Sequence, residues 1–112
     1  MEQSLAAGRA DCACGFEEGA ACDLLARGWF AHCDREVGEE ARAWMGTLPD
    51  RAVFRQSGRR FAVIHGGARE VNRFLWPCDP DAVFAAEIAA LEADLGPLDG
   101  VVSGHCGIAF AR

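Results

Sequence analysis

Two histidines of this chain share a sequence context that favours metal binding. His65 follows the apolar run Phe-Ala-Val-Ile and precedes two glycines, and His105 follows Val-Val-Ser-Gly and precedes Cys-Gly. Neutral imidazole is a common metal ligand, and glycine lets a ligand approach the backbone closely. Ligands of open α/β sheets collect at the carboxyl ends of strands. We therefore predict that His65 and His105 lie close together and bind one metal ion. A pair of buried, hydrogen-bonded core histidines is the structural alternative.

Three short strands are predicted to position these histidines. Ala52–Arg55 and Phe61–Ile64 have strand composition, and the turn residues Gln56–Arg59 join them as a hairpin. The second run is apolar on both faces, as a buried central strand would be. A third strand is predicted at Val101–Ser103, immediately before Gly104 and His105.

Apolar residues at helical spacing predict three helices. The first covers Phe16–Arg27 and stops at Gly28, and the second covers Gly38–Gly46. Between them, Trp29–Ala31 is interpreted as a short strand. The third helix lies within Asp79–Leu95.

The third helix has the clearest sequence signals. Asp79 is predicted as its N-cap and Pro80 as its first helical residue, and Gly96 ends it. Its apolar stripe is predicted to pack on the sheet through Phe84, Ile88, Leu91 and Leu95. The order of helix, helix, hairpin, helix and strand predicts a layered α/β (α+β) domain. We assign residues 1–112 to this single domain and expect residues 1–15 to fray.

The composition excludes several classes of protein. Of the 112 residues, 51% are apolar and 25% charged, which is typical of a globular chain. The net charge is −6, which argues against binding to the phosphate backbone of nucleic acids. The chain has no apolar run of about 18 residues and no secretory signal pattern, so we expect a cytoplasmic protein without membrane association. In that compartment the six cysteines are expected to be reduced.

The order of several motifs resembles the calcineurin-like metallophosphoesterases, in their bacterial phosphodiesterase-like branch. Ala31-His32-Cys33-Asp34 is similar to a Gly-Asn-Cys-Asp motif of that family. The run Phe61–Gly67 is similar to the strand that ends in His-Gly, and Val101–Phe110 to Val-Val-x-Gly-His-Thr-His-Ile-Pro-Phe. Two further similarities are a Trp-Leu…Leu-Pro segment at Trp44–Pro49 and an aromatic loop at Phe74–Pro77. The resemblance covers residues 29–112.

The resemblance implies a set of site residues and an activity. It implies metal ligands at His32, His65 and His105 and catalytic positions at Cys33 and Asp34. It also implies part of a β-sandwich flanked by helices, which self-association could complete. The expected activity is hydrolysis of a small phosphomonoester or phosphodiester with Mn²⁺, Fe²⁺ or Zn²⁺.

Two arginines follow the first histidine of the predicted site. Arg69 and Arg73 come soon after His65 in the chain, and arginine binds phosphate through a bidentate fork. A role as solvated loop charges is the alternative. We retain both residues as candidate substrate-binding positions.

The chain also departs from the family pattern. It has neither the Asp-x-His motif nor the Gly-Asp-x-x-Asp motif, and Gly107 replaces the second histidine of Gly-His-x-His. Two-metal catalysis needs a bridging carboxylate, so we expect a truncated or degenerate member that holds one ion at most and hydrolyses weakly. The alternatives are an inactive metal- or phosphate-binding scaffold relative and a small zinc-binding module. For the zinc module, the spacing Cys12-x-Cys14 is tighter than structural sites usually have.

Overall fold

The protein has a mixed α/β architecture, as the sequence predicts. The computed structural model describes residues 2–112, and the chain divides into two compact units, Met1–Leu48 (the first unit) and Pro49–Arg112 (the second unit). The first unit contains helices α1 (Glu2–Ala6), α2 (Ala21–Glu36) and α3 (Glu39–Met45). The second unit contains strands β1 (Arg51–Gln56), β2 (Arg59–Ile64) and β3 (Gly100–Val102) and helix α4 (Asp81–Leu95). Among the described residues, no helix combines the length and the apolar character that crossing a membrane requires.

Helix α2 replaces the predicted strand of the first unit. It runs without interruption through Gly28 and includes Trp29–Ala31, so the strand prediction for that segment is wrong. A glycine inside a helix costs only about 1 kcal/mol relative to alanine, which does not stop a helix that gains a packed face. That face centres on Phe30, which is only 4% exposed.

Arg42 holds the elements of the first unit together. Its guanidinium group donates to the backbone carbonyls of Val37 and Leu5, both at 2.9 Å. It also binds Asp34, through the backbone carbonyl and through the carboxylate at 3.0 Å. Leu5 lies in α1 and is 3% exposed, so this part of the predicted frayed segment is helical and packed.

The second unit is built on the predicted hairpin. Strand β1 pairs antiparallel with β2, and the two-residue turn between them has positive φ at Ser57 (51°) and Gly58 (78°). Two-residue hairpin loops with positive φ at both positions match the right-handed twist of the strands. Strand β2 also pairs in parallel with β3, so that the sheet order is β1-β2-β3. The central position of β2 agrees with its apolar sequence.

Helix α4 packs on the sheet through part of the predicted stripe. Leu91 is fully buried and forms a core with Ile64 of β2 and Ala68, and Leu95 lies partly buried against that core. Ile88, however, is 41% exposed, so its predicted packing is wrong. The neighbouring Glu87 is the less exposed residue, because its carboxylate accepts a hydrogen bond from the backbone N–H of Ala68 at 2.6 Å.

The start of α4 also differs from its prediction by one position. Pro80 is the N-cap and Asp81 the first helical residue. The Asp79 carboxylate instead accepts a hydrogen bond from the backbone N–H of Trp76 at 2.8 Å. Asp79 therefore closes the preceding turn, a common role of aspartate side chains.

Asp94 on α4 links the helix to β1 and to the loop after β2. Its carboxylate lies 2.6 Å from Arg69 and 2.9 Å from Arg51. Hydrogen bonds from these two guanidinium groups lower the pKa of Asp94 below its ordinary value of 3.8. Because the pKa of Asp94 is lower in the folded state, ionised Asp94 stabilises the fold. This contribution to the free energy of unfolding is complete above the unfolded-state pKa of Asp94 and is lost as the pH falls through its folded-state pKa.

We accordingly predict that Asp94→Asn destabilises the protein at neutral pH, and that the difference from wild type shrinks below pH 3.8. Urea unfolding of both proteins over a series of pH values measures this difference. A difference that stays constant down to the acid end would contradict the assignment.

Candidate metal centre

Strands β2 and β3 bring His65 and His105 (the histidine pair) together. Their parallel pairing sets Val63 opposite Val102, and the ladder continues beyond them, because the backbone N–H of Gly104 donates to the His65 carbonyl at 2.8 Å. The Nε2 atom of His65 lies 3.0 Å from the Nδ1 atom of His105, and the two rings are inclined at 60°. The predicted proximity of the two side chains is confirmed. Their role as metal ligands stays a prediction.

The backbone at His105 is in an unusual conformation. Its φ is +66°, and the backbone N–H of Cys106 donates to the carbonyl of Gly104 at 2.8 Å, which closes a three-residue turn around His105. Residues other than glycine rarely have positive φ, although histidine is among the enriched types, and turns of this kind are strained. Strain of this sort concentrates at functional sites. The turn follows β3 and places the imidazole against His65.

The separation of the two ring nitrogens suits two neighbouring ligands of one ion. Zinc–nitrogen bonds are about 2.0–2.1 Å long, so two nitrogens at a tetrahedral ion lie about 3.3 Å apart. The observed 3.0 Å differs from that by a few tenths of an ångström, and it is also the length of an N–H···N hydrogen bond. His65 is exposed and His105 half-buried. Within residues 2–112 there is no group of three or more His, Cys, Asp and Glu side chains that could hold a metal ion.

Aromatic side chains pack against the histidine pair on one side. The Phe74 ring centroid lies 4.3 Å from that of His105, and the Trp76 ring stacks on Phe74 at 5.2 Å with an interplanar angle of 2°. The intervening Leu75 is buried, which fixes the segment to the core. This packing restricts the rotation of the His105 ring. Phe74 and Trp76 thus support the His105 side of the histidine pair.

The glycine after His65 is required by close backbone packing. A Cβ atom at Gly66 would lie 2.5 Å from the carbonyl oxygen of Val71 and 2.6 Å from that of Arg73. The loop from Gly66 to Arg73 therefore folds back on the residue that follows His65. Glu70 stabilises this loop, because its carbonyl accepts hydrogen bonds from the backbone N–H groups of Gly67 and Arg73.

The two candidate substrate-binding arginines bind carboxylates of α4. Arg69 pairs with Asp94 at 2.6 Å, and Arg73 pairs with Glu87 at 3.0 Å. The Arg69 side chain is 58% exposed, whereas the side chain of Glu87 is only 15% exposed. The Arg73–Glu87 pair is thus the more buried of the two, and the Arg69–Asp94 pair is the more exposed. Exposed ion pairs contribute little to stability, and Asp94 keeps the less exposed Arg51 as a second partner, so the Arg69 guanidinium can exchange partners at low cost.

The remaining predicted site residues lie in the first unit, on α2. His32, Cys33 and Asp34 were expected after a strand, and the helix shows that this local prediction is wrong. The carboxylate of Asp34 pairs with Arg42, and the His32 ring lies 5.4 Å from the Trp29 ring. Of the three candidate metal ligands, His65 and His105 are the two that share a unit.

The sequence prediction missed a disulfide in the first unit. Cys12 and Cys14 are bonded to each other, whereas we expected reduced thiols. Both residues line a cavity of about 590 Å³ that Asp34 also borders. The spacing Cys-x-Cys was the available signal. In the disulfide state neither sulfur is a thiolate, so this pair does not serve the zinc module considered above. The free cysteines of the described residues are Cys22, Cys33, Cys78 and Cys106.

Comparison with known proteins identified no match to this chain. No protein-family model matches the chain, and neither a curated protein nor a solved structure matches it.

Proposed function

We propose that this chain is a metallophosphoesterase-related protein that binds one divalent metal ion through the histidine pair. The observation that carries the proposal is the 3.0 Å approach of His65 Nε2 to His105 Nδ1 at the carboxyl ends of two parallel strands. One nitrogen of each imidazole therefore lies close enough to the other for both to bind a single ion. The proposed ion is Mn²⁺, Fe²⁺ or Zn²⁺, and the proposed ligand is a small phosphomonoester or phosphodiester.

The fold that we propose for the second unit is part of a metallophosphoesterase-type β-sandwich. The parallel pair β2-β3, the hairpin strand β1 and helix α4 would form one of its sheets with a covering helix. Strands β1 and β3 are the edges of this sheet. Unpaired edges are templates for another strand, and we propose that a second copy of the chain can complete the sheet there.

The chemistry follows from what the side chains can supply. When bound, a divalent ion supplies Lewis-acid polarisation of a phosphoryl oxygen. His65 and His105 must both be neutral to bind it, and two protein ligands leave several of its positions open for substrate and water. Arg69 would bind the phosphate after leaving Asp94, since its ion pair is exposed.

The site also explains why we propose slow hydrolysis. A two-metal phosphoesterase clamps the attacking and leaving oxygens between ions about 3.5–4 Å apart, which requires a bridging carboxylate. The group of three or more ligands that such a site needs is not found among residues 2–112. The runner-up proposal, a metal- or phosphate-binding scaffold without turnover, rests on this same observation.

Hydrolysis of bis-p-nitrophenyl phosphate with Mn²⁺ tests the activity. We expect weak release of p-nitrophenol from the wild type and background release from His65→Ala and His105→Ala. A rate that survives both substitutions would show that the hydrolysis does not come from this site. Robust turnover that both substitutions abolish would contradict the proposal of a weak site and would require further ligands.

A further inference from the structure

We infer that Ser103 is the positioning residue of the histidine pair, a conclusion that rests on the metal site proposed above. The Ser103 hydroxyl donates a hydrogen bond to the carbonyl of Gly66 at 2.7 Å. Gly66 directly follows His65, and Ser103 precedes His105 by two residues. The bond therefore joins the segments that carry the two imidazoles, at the point where each leaves its strand.

A backbone hydrogen bond beside it defines the same junction. The N–H of Gly104 donates to the carbonyl of His65 at 2.8 Å. The carbonyls of His65 and Gly66, which follow β2, therefore both accept hydrogen bonds from residues that follow β3. Two such bonds fix the rotation of one segment about the other, which a single bond would leave free. Of the two bonds, the Ser103 bond is the one made by a side chain. A substitution of Ser103 can therefore remove it without altering the backbone.

The opposite side of Gly66 is also held. The carbonyl oxygens of Val71 and Arg73 pack where its Cβ would be. With that side closed and Ser103 bonded to its carbonyl, the peptide between Gly66 and Gly67 has one orientation. The orientation of His105 is set in the turn that begins directly after Ser103, where the φ of His105 is positive and the Cys106 N–H donates to the Gly104 carbonyl. Its ring lies against that of His65.

A purely structural hydroxyl would act differently from a positioning one. Loss of an ordinary hydrogen bond costs about 1 kcal/mol of stability and leaves the affinity for metal unchanged in the molecules that are folded. Loss of a group that orients metal ligands lowers metal affinity by about 10–100-fold. The two roles are separated by measuring affinity on folded protein.

The test compares Ser103→Thr with Ser103→Val, which differ in the hydroxyl at nearly equal shape. We expect Mn²⁺ affinity by calorimetry to be about tenfold weaker in Ser103→Val than in wild type and to be retained in Ser103→Thr. Thr47→Val is the matched control, because the Thr47 hydroxyl donates to the Trp44 carbonyl at the same 2.7 Å within the first unit. It should leave Mn²⁺ affinity unchanged. Circular dichroism establishes that each variant is folded.

A metal-free measurement keeps this inference separate from the proposed function. In protein labelled with ¹⁵N-histidine, the hydrogen bond between the rings of the histidine pair should give a nitrogen–nitrogen coupling in wild type and Ser103→Thr. It should vanish in Ser103→Val. If wild type binds no Mn²⁺ but shows this pattern, the metal site fails and the positioning role stands. If Ser103→Val keeps both the coupling and the wild-type affinity, the positioning role is overturned.

Discussion

Replacing Leu91 by Ala should lower the free energy of unfolding by roughly 2–5 kcal/mol. Leu91 is 0% exposed and is the centre of the core that joins α4 to β2 and the loop after it. The substitution removes the buried side chain and leaves a cavity that the neighbouring backbone cannot fill. Urea unfolding followed by circular dichroism measures the loss.

Ile88→Ala is the matched control for this prediction. Ile88 lies on the same helix but is 41% exposed, and surface substitutions usually change stability by less than about 0.5 kcal/mol. The packing of α4 predicts a large loss of stability for Leu91→Ala and a small one for Ile88→Ala. Equal losses, or a near-neutral effect of Leu91→Ala, would show that the assigned packing face is wrong.

The hairpin and the histidine pair were predictable because their signals are local. Ser57 and Gly58 form a turn of the type that short hairpins prefer, and the run after Arg60 is apolar on both faces. Once β2 and β3 pair in parallel, residues that follow their carboxyl ends must lie at one edge of the sheet. The sequence therefore places His65 and His105 together once that single long-range pairing is assumed.

The interpretation of Trp29–Ala31 failed because a short apolar run does not distinguish a strand from a helix. The segment lies inside α2, a helix of 16 residues, and Gly28 does not end it. The resemblance of the next residues, His32 to Asp34, to a strand-end motif favoured the wrong choice. In the structure, the hydrogen bonds of Arg42 with Asp34 and Val37 fix the end of this helix.

The packing face of α4 depends on polar contacts that periodicity does not reveal. Glu87 occupies a partly buried position because Ala68 and Arg73 both bind its carboxylate. Ile88, the next residue, is correspondingly exposed. An apolar pattern alone places isoleucine inward and glutamate outward, and it has no way to anticipate a carboxylate with two partners on the loop.

The second large effect concerns the proposed metal binding. We expect His65→Ala and His105→Gly each to abolish it. Glycine is the appropriate replacement at position 105, since the φ of +66° suits glycine and costs an alanine about 1 kcal/mol or more. His105→Gly thus removes the imidazole while it relaxes the backbone. We expect this variant to unfold at a higher urea concentration than His105→Ala. His32→Ala tests whether the third predicted ligand takes part, because it weakens binding only if His32 is a ligand.

Calorimetric titration of Mn²⁺ into wild type and His65→Ala at neutral pH tests the central claim most directly. The proposed site predicts a saturable heat for a single ion in wild type, lost when the imidazoles are protonated in acid. It predicts no such heat in folded His65→Ala. Equal heats in the two proteins would remove His65 from the site and would contradict the proposal.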